Sequence, residues 1–242
     1  VQPHLKIKRA EEHIAQIKAA INSLPNRYTS IVEKDLEARR QWIKYELPQA
    51  TDFRDTLGLV IGDAVHNLRT ALDYAWIQAL TILKCQITNY SKFPVFETLE
   101  ALKNALVGIK IDVASPIFNC LMSEIQPYRT GDDLIYTLHE LDIADKHRLL
   151  TPVVQVADAS GIKTEDKNGI IFVDRTSPIR GTDSFYVEVP FDHQIKENGK
   201  PSVAVLFEKG SPSEDGEITS TLALLKESTV KAVEAIEHST HP

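Results

Sequence analysis

Cysteine is almost absent from this 242-residue chain, with Cys85 and Cys120 the only two. They form no CxxC spacing, which removes a thiolate metal site, and two scattered cysteines point to buried thiols in a reducing compartment rather than a disulfide framework. Long apolar runs are missing too: none approaches the roughly 18 residues of a membrane span. No charged-then-apolar leader precedes the first helical pattern, so a cytoplasmic protein without membrane attachment is expected. The glycines build neither a P-loop nor a GxGxxG fingerprint, and no GxSxG elbow anchors a hydrolase triad. Net basic charge is scarce. The chain carries −7 overall, with +2 in residues 1–60, −3 in 61–150 and −6 in 151–242. Nucleic-acid binding leans on phosphate neutralisation, so such a partner is possible but not favoured.

What remains is ordinary soluble composition, 43% hydrophobic and 25% charged, in a length sufficient for a substantial core. The most organised stretch runs from Thr51 to Leu83, with Thr51 or Asp52 as N-cap and no proline inside. At about 100° per residue, Ile61, Ala64, Val65, Leu68, Ala71, Leu72, Ala75, Trp76 and Ala79 form one apolar face. On the other side Leu59, Gly62, Ile77 and Leu80 bracket Asp63, His66, Arg69, Thr70 and Asp73. This pattern predicts a helix buried on two sides, with Asn67, Tyr74 and Gln78 as a wet edge. Gly58 and Gly62, four apart, would let another helix come close.

Other helices are expected over His4–Leu24, Thr98–Val107, Ser115–Ile125, Asp132–Leu150 and Ser220–His238, the first with Leu5 among its apolar positions. Tyr28–Glu33 and Arg40–Leu47 read as a hairpin turning at Lys34–Arg39. Polar loops are expected at Thr88–Lys92 and Gly210–Gly216. From Thr151 the period changes to that of strands, at Pro152–Val156, Gly169–Val173, Ser184–Val189 and Ser202–Phe207, with Asn198-Gly199 as a tight turn. The expected fold class is α+β, an antiparallel helical bundle with one antiparallel sheet formed by the N-terminal hairpin and the C-terminal strands. A single domain over 1–242 follows, its helical part at about 1–26, 50–150 and 219–240 and its sheet part at about 27–48 and 151–218.

The Asp132–Leu150 helix repeats the two-sided character of the central one. Its wheel puts Ile135, Leu138, His139, Asp142, Lys146 and Leu149 on one face, with Asp145 at the border. The stripes are complementary: Arg69 with Asp142 or Asp145, Asp73 with Lys146, and His66 or His139 with any of the carboxylates. Three uses are open. The first is a buried ion-pair network that fixes helix register, since charges are seldom buried unpaired. The second is an anion or phosphoester site, with Arg69 and Lys146 holding the anion and His66 or His139 as general acid or base. The third is a metal site built on the i,i+3 pairs Asp63/His66 and His139/Asp142; it lacks an ExxH signature, and Arg69 and Lys146 would put positive charge beside the ion. No metal and no cofactor is therefore expected. The candidate catalytic residues are His66, Arg69 and His139, and the candidate ligand-binding residues are Asp63, Asn67, Asp73, Asp142, Asp145 and Lys146. His193, His238 and His241 read as surface residues.

His66-Asn67-Leu68-Arg69-Thr70-Ala71-Leu72-Asp73 resembles the HNLRxALD signature of a widespread family of uncharacterised bacterial proteins. Phe93-Pro94-Val95, Ile125-Gln126-Pro127-Tyr128 and Leu141–Leu150 are similar to that family's later motifs. The resemblance covers most of residues 50–152 and implies a bacterial protein, without an activity. More weakly, the stretch resembles HEPN-type helical bundles, many of them RNases, whose hallmark is an Arg followed four to six residues later by His. Family members often place His directly after ALD; this chain has Tyr74 there. The second resemblance implies a homodimer. The expected function is a ligand-binding or interaction module with a charged inter-helix pocket open to a small anionic ligand. The alternative is an HEPN-like RNase or other phosphoester hydrolase using the same pocket.

Overall fold

The computed structural model describes residues 2–88, 91–176 and 184–240. Asn89 and Tyr90 of the expected polar loop, and the expected surface residue His241, lie outside them. The elements are α1 (Pro3–Ser23), β1 (Thr29–Asp35), β2 (Arg40–Glu46), α2 (Ala50–Ile82), α3 (Leu99–Gly108), α4 (Pro116–Asn119), α5 (Asp133–His147), β3 (Pro152–Glu165), β4 (Ile171–Thr176), β5 (Ser184–Val189), β6 (Gln194–Phe207) and α6 (Ile218–Thr240). The fold is α+β. Two compact units are built, one from residues 1–17, 58–150 and 209–242, the other from 18–57 and 151–208.

The first unit is helical, and its termini follow from its caps. Thr98 accepts from the Ala101 N–H, Ser115 from Phe118, and Asp132 from Leu134 and Ile135, each supplying a partner to an orphan amide. After α4 the chain continues as one π-helical stretch, Cys120–Ile125, and stops at Gln126 with φ 51°. The central helix starts at Ala50, after Gln49 at φ 55°, so Thr51 and Asp52 lie in its first turn rather than capping it. Every residue of its predicted apolar face from Ile61 to Ala79 is buried, and so are Ile7, Ala10, Ile14 and Ile17 of α1. On α6, Leu222, Leu225, Val233 and Ile236 are buried. Each such side chain removed from water contributes about 1.5–3 kcal/mol.

The outer side of α2 departs from expectation in two places. Leu59 is exposed, so it brackets nothing, and Asn67 is buried rather than wet. Asn67 donates to the Asp63 carbonyl and accepts from Lys6 of α1, which covers it. Leu5, placed at helical spacing, is also exposed. The glycines behave as their spacing predicts: a Cβ on Gly58 would sit 2.8 Å from the Leu150 carbonyl, and one on Gly62 would sit 2.3 Å from an Asp145 oxygen. Close approach of α5 to α2 depends on Gly62, whereas Gly58 faces the non-helical Leu149–Leu150 segment that follows α5.

Among the described residues the second unit holds two three-stranded antiparallel sheets, ordered β1-β2-β5 and β4-β3-β6, in place of the single expected sheet. Pairing explains the division. β5 extends the hairpin, with Phe185, Val187 and Val189 opposite Tyr45, Ile43 and Gln41, all facing inward. β3 is taken on both sides by β4 and β6. Inward residues of the two sheets form one core with Val156, Ala159 and Ile162, where Tyr45 stacks on Phe185 at 4.6 Å. Burial pushes the Tyr45 phenol up to about 12, and its hydroxyl donates to the Asn198 carbonyl.

Asn198-Gly199 is no turn. It lies within the long β6, where Gly199 (φ 69°) stands opposite Gly161 (φ 75°) of β3. A Cβ on Gly199 would fall 2.5 Å from the Ser160 carbonyl, so the paired glycines kink two continuing strands instead of ending them. His193 is half-buried rather than a surface residue, with Nδ1 3.0 Å from Thr164 Oγ1 and its ring on Phe172. Cys85 is only half-buried; Cys120 is buried, and both are free.

Candidate functional site

The polar stripes of α2 and α5 meet within the helical unit as two networks rather than one. The first is centred on Arg69, which is only 4% exposed. Its guanidinium pairs with Asp73 one turn along α2, donates to the Phe93 carbonyl at 2.9 Å, and sends Nε–H toward His139 Nδ1 at 3.4 Å. Asp73 accepts in turn from the Phe93 N–H at 2.8 Å. Both main-chain groups of Phe93 are thus held by one ion pair, and its ring packs edge-on to Trp76. This pair clamps the Phe93-Pro94-Val95 segment to the central helix.

His139 gains a defined form from its neighbour. Because Nδ1 accepts from Arg69, the proton of the neutral ring sits on Nε2. Burial first, and the Arg69 charge second, hold its pKa below the usual histidine value. The ring lines a cavity of about 460 Å³ whose wall includes Arg69, Trp76, Val95, Phe96 and Ile109.

The second network is centred on Asp142, also 4% exposed. One oxygen accepts from His66 Nδ1 at 2.9 Å, and the other pairs with Lys146 one turn along α5. His66 stays 54% exposed at its side chain, with Nε2 3.4 Å from the Thr70 hydroxyl. Asp145 lies against Gly62. Burial, then Asp142 and Asp63, push its carboxyl above the ordinary carboxylate value. Among the described residues no group of three or more His, Cys, Asp or Glu is arranged to hold a metal ion.

The structure therefore brings together all of His66, Arg69, His139, Asp73, Asp142, Asp145 and Lys146 along one seam, but with other partners than complementarity of the stripes predicts. Arg69 meets Asp73 on its own helix instead of Asp142 or Asp145, and Lys146 meets Asp142 instead of Asp73. Both are i,i+4 pairs, whose spacing was in the sequence. Asp63 is exposed beside Asp145, and Asn67 faces α1. The part that sequence reasoning missed is the Phe93 clamp and the cavity beside it. The sign of that stretch in the sequence was the likeness of Phe93-Pro94-Val95 to a later motif of the HNLRxALD proteins.

Compared with known proteins, the chain matches no family model, no curated protein and no solved structure.

Proposed function

We propose that this chain is a small-molecule-binding module, and that its binding site is the cavity walled by Arg69, His139, Trp76 and the Phe93–Phe96 segment. The observation that carries this reading is the state of Arg69. Buried and committed to Asp73, Phe93 and His139, it serves as the frame of the cavity rather than as an open clamp for a reacting phosphate. A volume of 460 Å³ falls in the range of small-molecule sites, and an apolar majority in the lining, joined by Arg69, Gln86, Thr88, Ser91, Lys92 and His139, is compatible with their chemistry. The likeness of His66–Asp73 to HNLRxALD proteins and to HEPN-type bundles supports placing the working region on this helix, in a bacterial, cytoplasmic homodimer. No helix of the described residues is long and apolar enough to cross a membrane.

The test is a fragment screen read by amide and indole resonances. Concerted shifts at Trp76, Phe96 and Ala105 are expected, and they vanish in an Ala105→Trp variant that fills the space. Fragments that shift only other regions contradict the site.

A second reading, hydrolysis of a phosphoester, is favoured by one observation: His66 is half exposed while buried Asp142 holds its Nδ1, the arrangement of an oriented general base. It predicts cleavage of an RNA oligonucleotide that His66→Ala abolishes with the fold intact. RNA left whole by the unaltered chain rejects it.

A further inference from the structure

The lining of this cavity is selective in sign. Its floor is Trp76 and Leu80, and Val95, Phe96 and Ile109 line its mouth. Among the described residues two charged side chains border it, Arg69 and Lys92, both cationic, and no carboxylate lies in its lining. The two differ in availability. The charge of Arg69 is matched by Asp73 within the clamp. Lys92 is exposed, and no ion pair among the described residues engages it. His139 adds a neutral ring with its proton on Nε2.

We propose that the cavity takes a small monocarboxylate with an apolar body, its hydrocarbon or aromatic part against Trp76, Leu80 and Ile109 and its carboxylate at Lys92. This rests on the reading of the cavity as the binding site. An anionic head answers the uniform sign of the lining, and an apolar body answers its floor. A dianionic or phosphate-bearing ligand fits less well, because among the described residues Lys92 alone brings the cavity a positive charge without an ion-pair partner. The neutral Nε2–H of His139 suits a single acceptor, such as one carboxylate oxygen.

The experiment uses 4-phenylbutanoate and octanoate beside their matched primary amides. Calorimetry on the unaltered chain measures affinity. Fluorescence of a Trp42→Phe chain, in which Trp76 is the sole tryptophan, reports where binding occurs. The acids are expected to bind saturably and shift the Trp76 emission, with the amides weaker by about fivefold, the scale of one exposed charge pair. Lys92→Gln is expected to remove that difference and leave amide affinity in place. Acid and amide binding equally, or a preference that survives Lys92→Gln, overturns the carboxylate assignment and leaves the cavity as a binding site. Neither acid nor amide binding at millimolar concentration overturns the carboxylate assignment, and silence of the fragment screen as well overturns the cavity reading itself.

Discussion

The two ends of the α2–α5 seam use the same residue types to opposite effect. At the Arg69 end a buried cation, its carboxylate and a main-chain segment satisfy one another, so the charges cost little and the polar groups act as a fastening. At the Asp142 end a buried carboxylate is shared by His66 and Lys146, both half open to water, with Asp145 crowded in beside it. Composition does not separate the two ends. What separates them is whether a loop covers them: Phe93–Phe96 closes the first, and the second has His66, Lys146 and Asp63 standing exposed around it. A fastening resists substitution, whereas an open acidic end should tolerate it.

The largest effect expected is at the closed end. Arg69→Met leaves Asp73 partly buried without its cation and the Phe93 carbonyl without its donor. A loss of about 3–5 kcal/mol is expected, the cost of breaking one side of a buried pair. Urea unfolding reads it directly. Lys146→Met at the open end leaves buried Asp142 its His66 partner, so a smaller loss of about 1–3 kcal/mol is expected by the same method.

Next in size is the glycine against which the segment after α5 packs. In an exposed helix Gly→Ala gains about 1 kcal/mol. At Gly58 the new methyl meets a main-chain carbonyl that cannot turn aside, so overpacking of about 1–3 kcal/mol is expected to outweigh the gain. A rise in the thermal midpoint of Gly58→Ala would show that the Leu149–Leu150 segment yields there.

These expectations mark what could be read in the sequence and what could not. The apolar face of α2, the hairpin, the helix starts at Ser115 and Asp132 and the approach of a helix at Gly62 were legible, because each follows from local spacing or from one residue's chemistry. The partners of Arg69 and Lys146 were not. A helical wheel assigns a side chain to a face but not to a neighbour, and two complementary stripes allow either pairing within a helix or pairing across. The Phe93 clamp was out of reach for a different reason: its acceptor and donor are main-chain atoms, which every residue type but proline carries. The division into two sheets likewise depends on which edge β5 takes, and its alternating pattern fits either edge. Asn198-Gly199 misled because a glycine at positive φ serves a kink as readily as a turn.

Smaller effects concern protons, and the two ends should answer pH in opposite directions. His139 at the closed end has a folded pKa below the ordinary 6.5. Between those values the unfolded chain binds more protons, so stability is full above about 6.5 and falls as pH drops through the window. His139→Gln should flatten that slope in unfolding curves measured at successive pH values. Asp145 has a folded pKa above the ordinary 3.8. Here the folded chain binds more protons inside the window, so stability falls as pH rises through it. Asp145→Asn should therefore stabilise at neutral pH by about 0.5 kcal/mol, a screened interaction. The gain should disappear toward the ordinary carboxylate value.

The measurement that bears most directly on the contrast is a double-mutant cycle at the closed end. Arg69→Met, Asp73→Leu and the pair together are compared by urea unfolding. If the ion pair is a fastening, removing both charges should recover much of what either single change loses, with a coupling of about 2–3 kcal/mol. Additive losses would contradict the account, because Arg69 and Asp73 would then act independently and the Phe93 clamp would not be a unit.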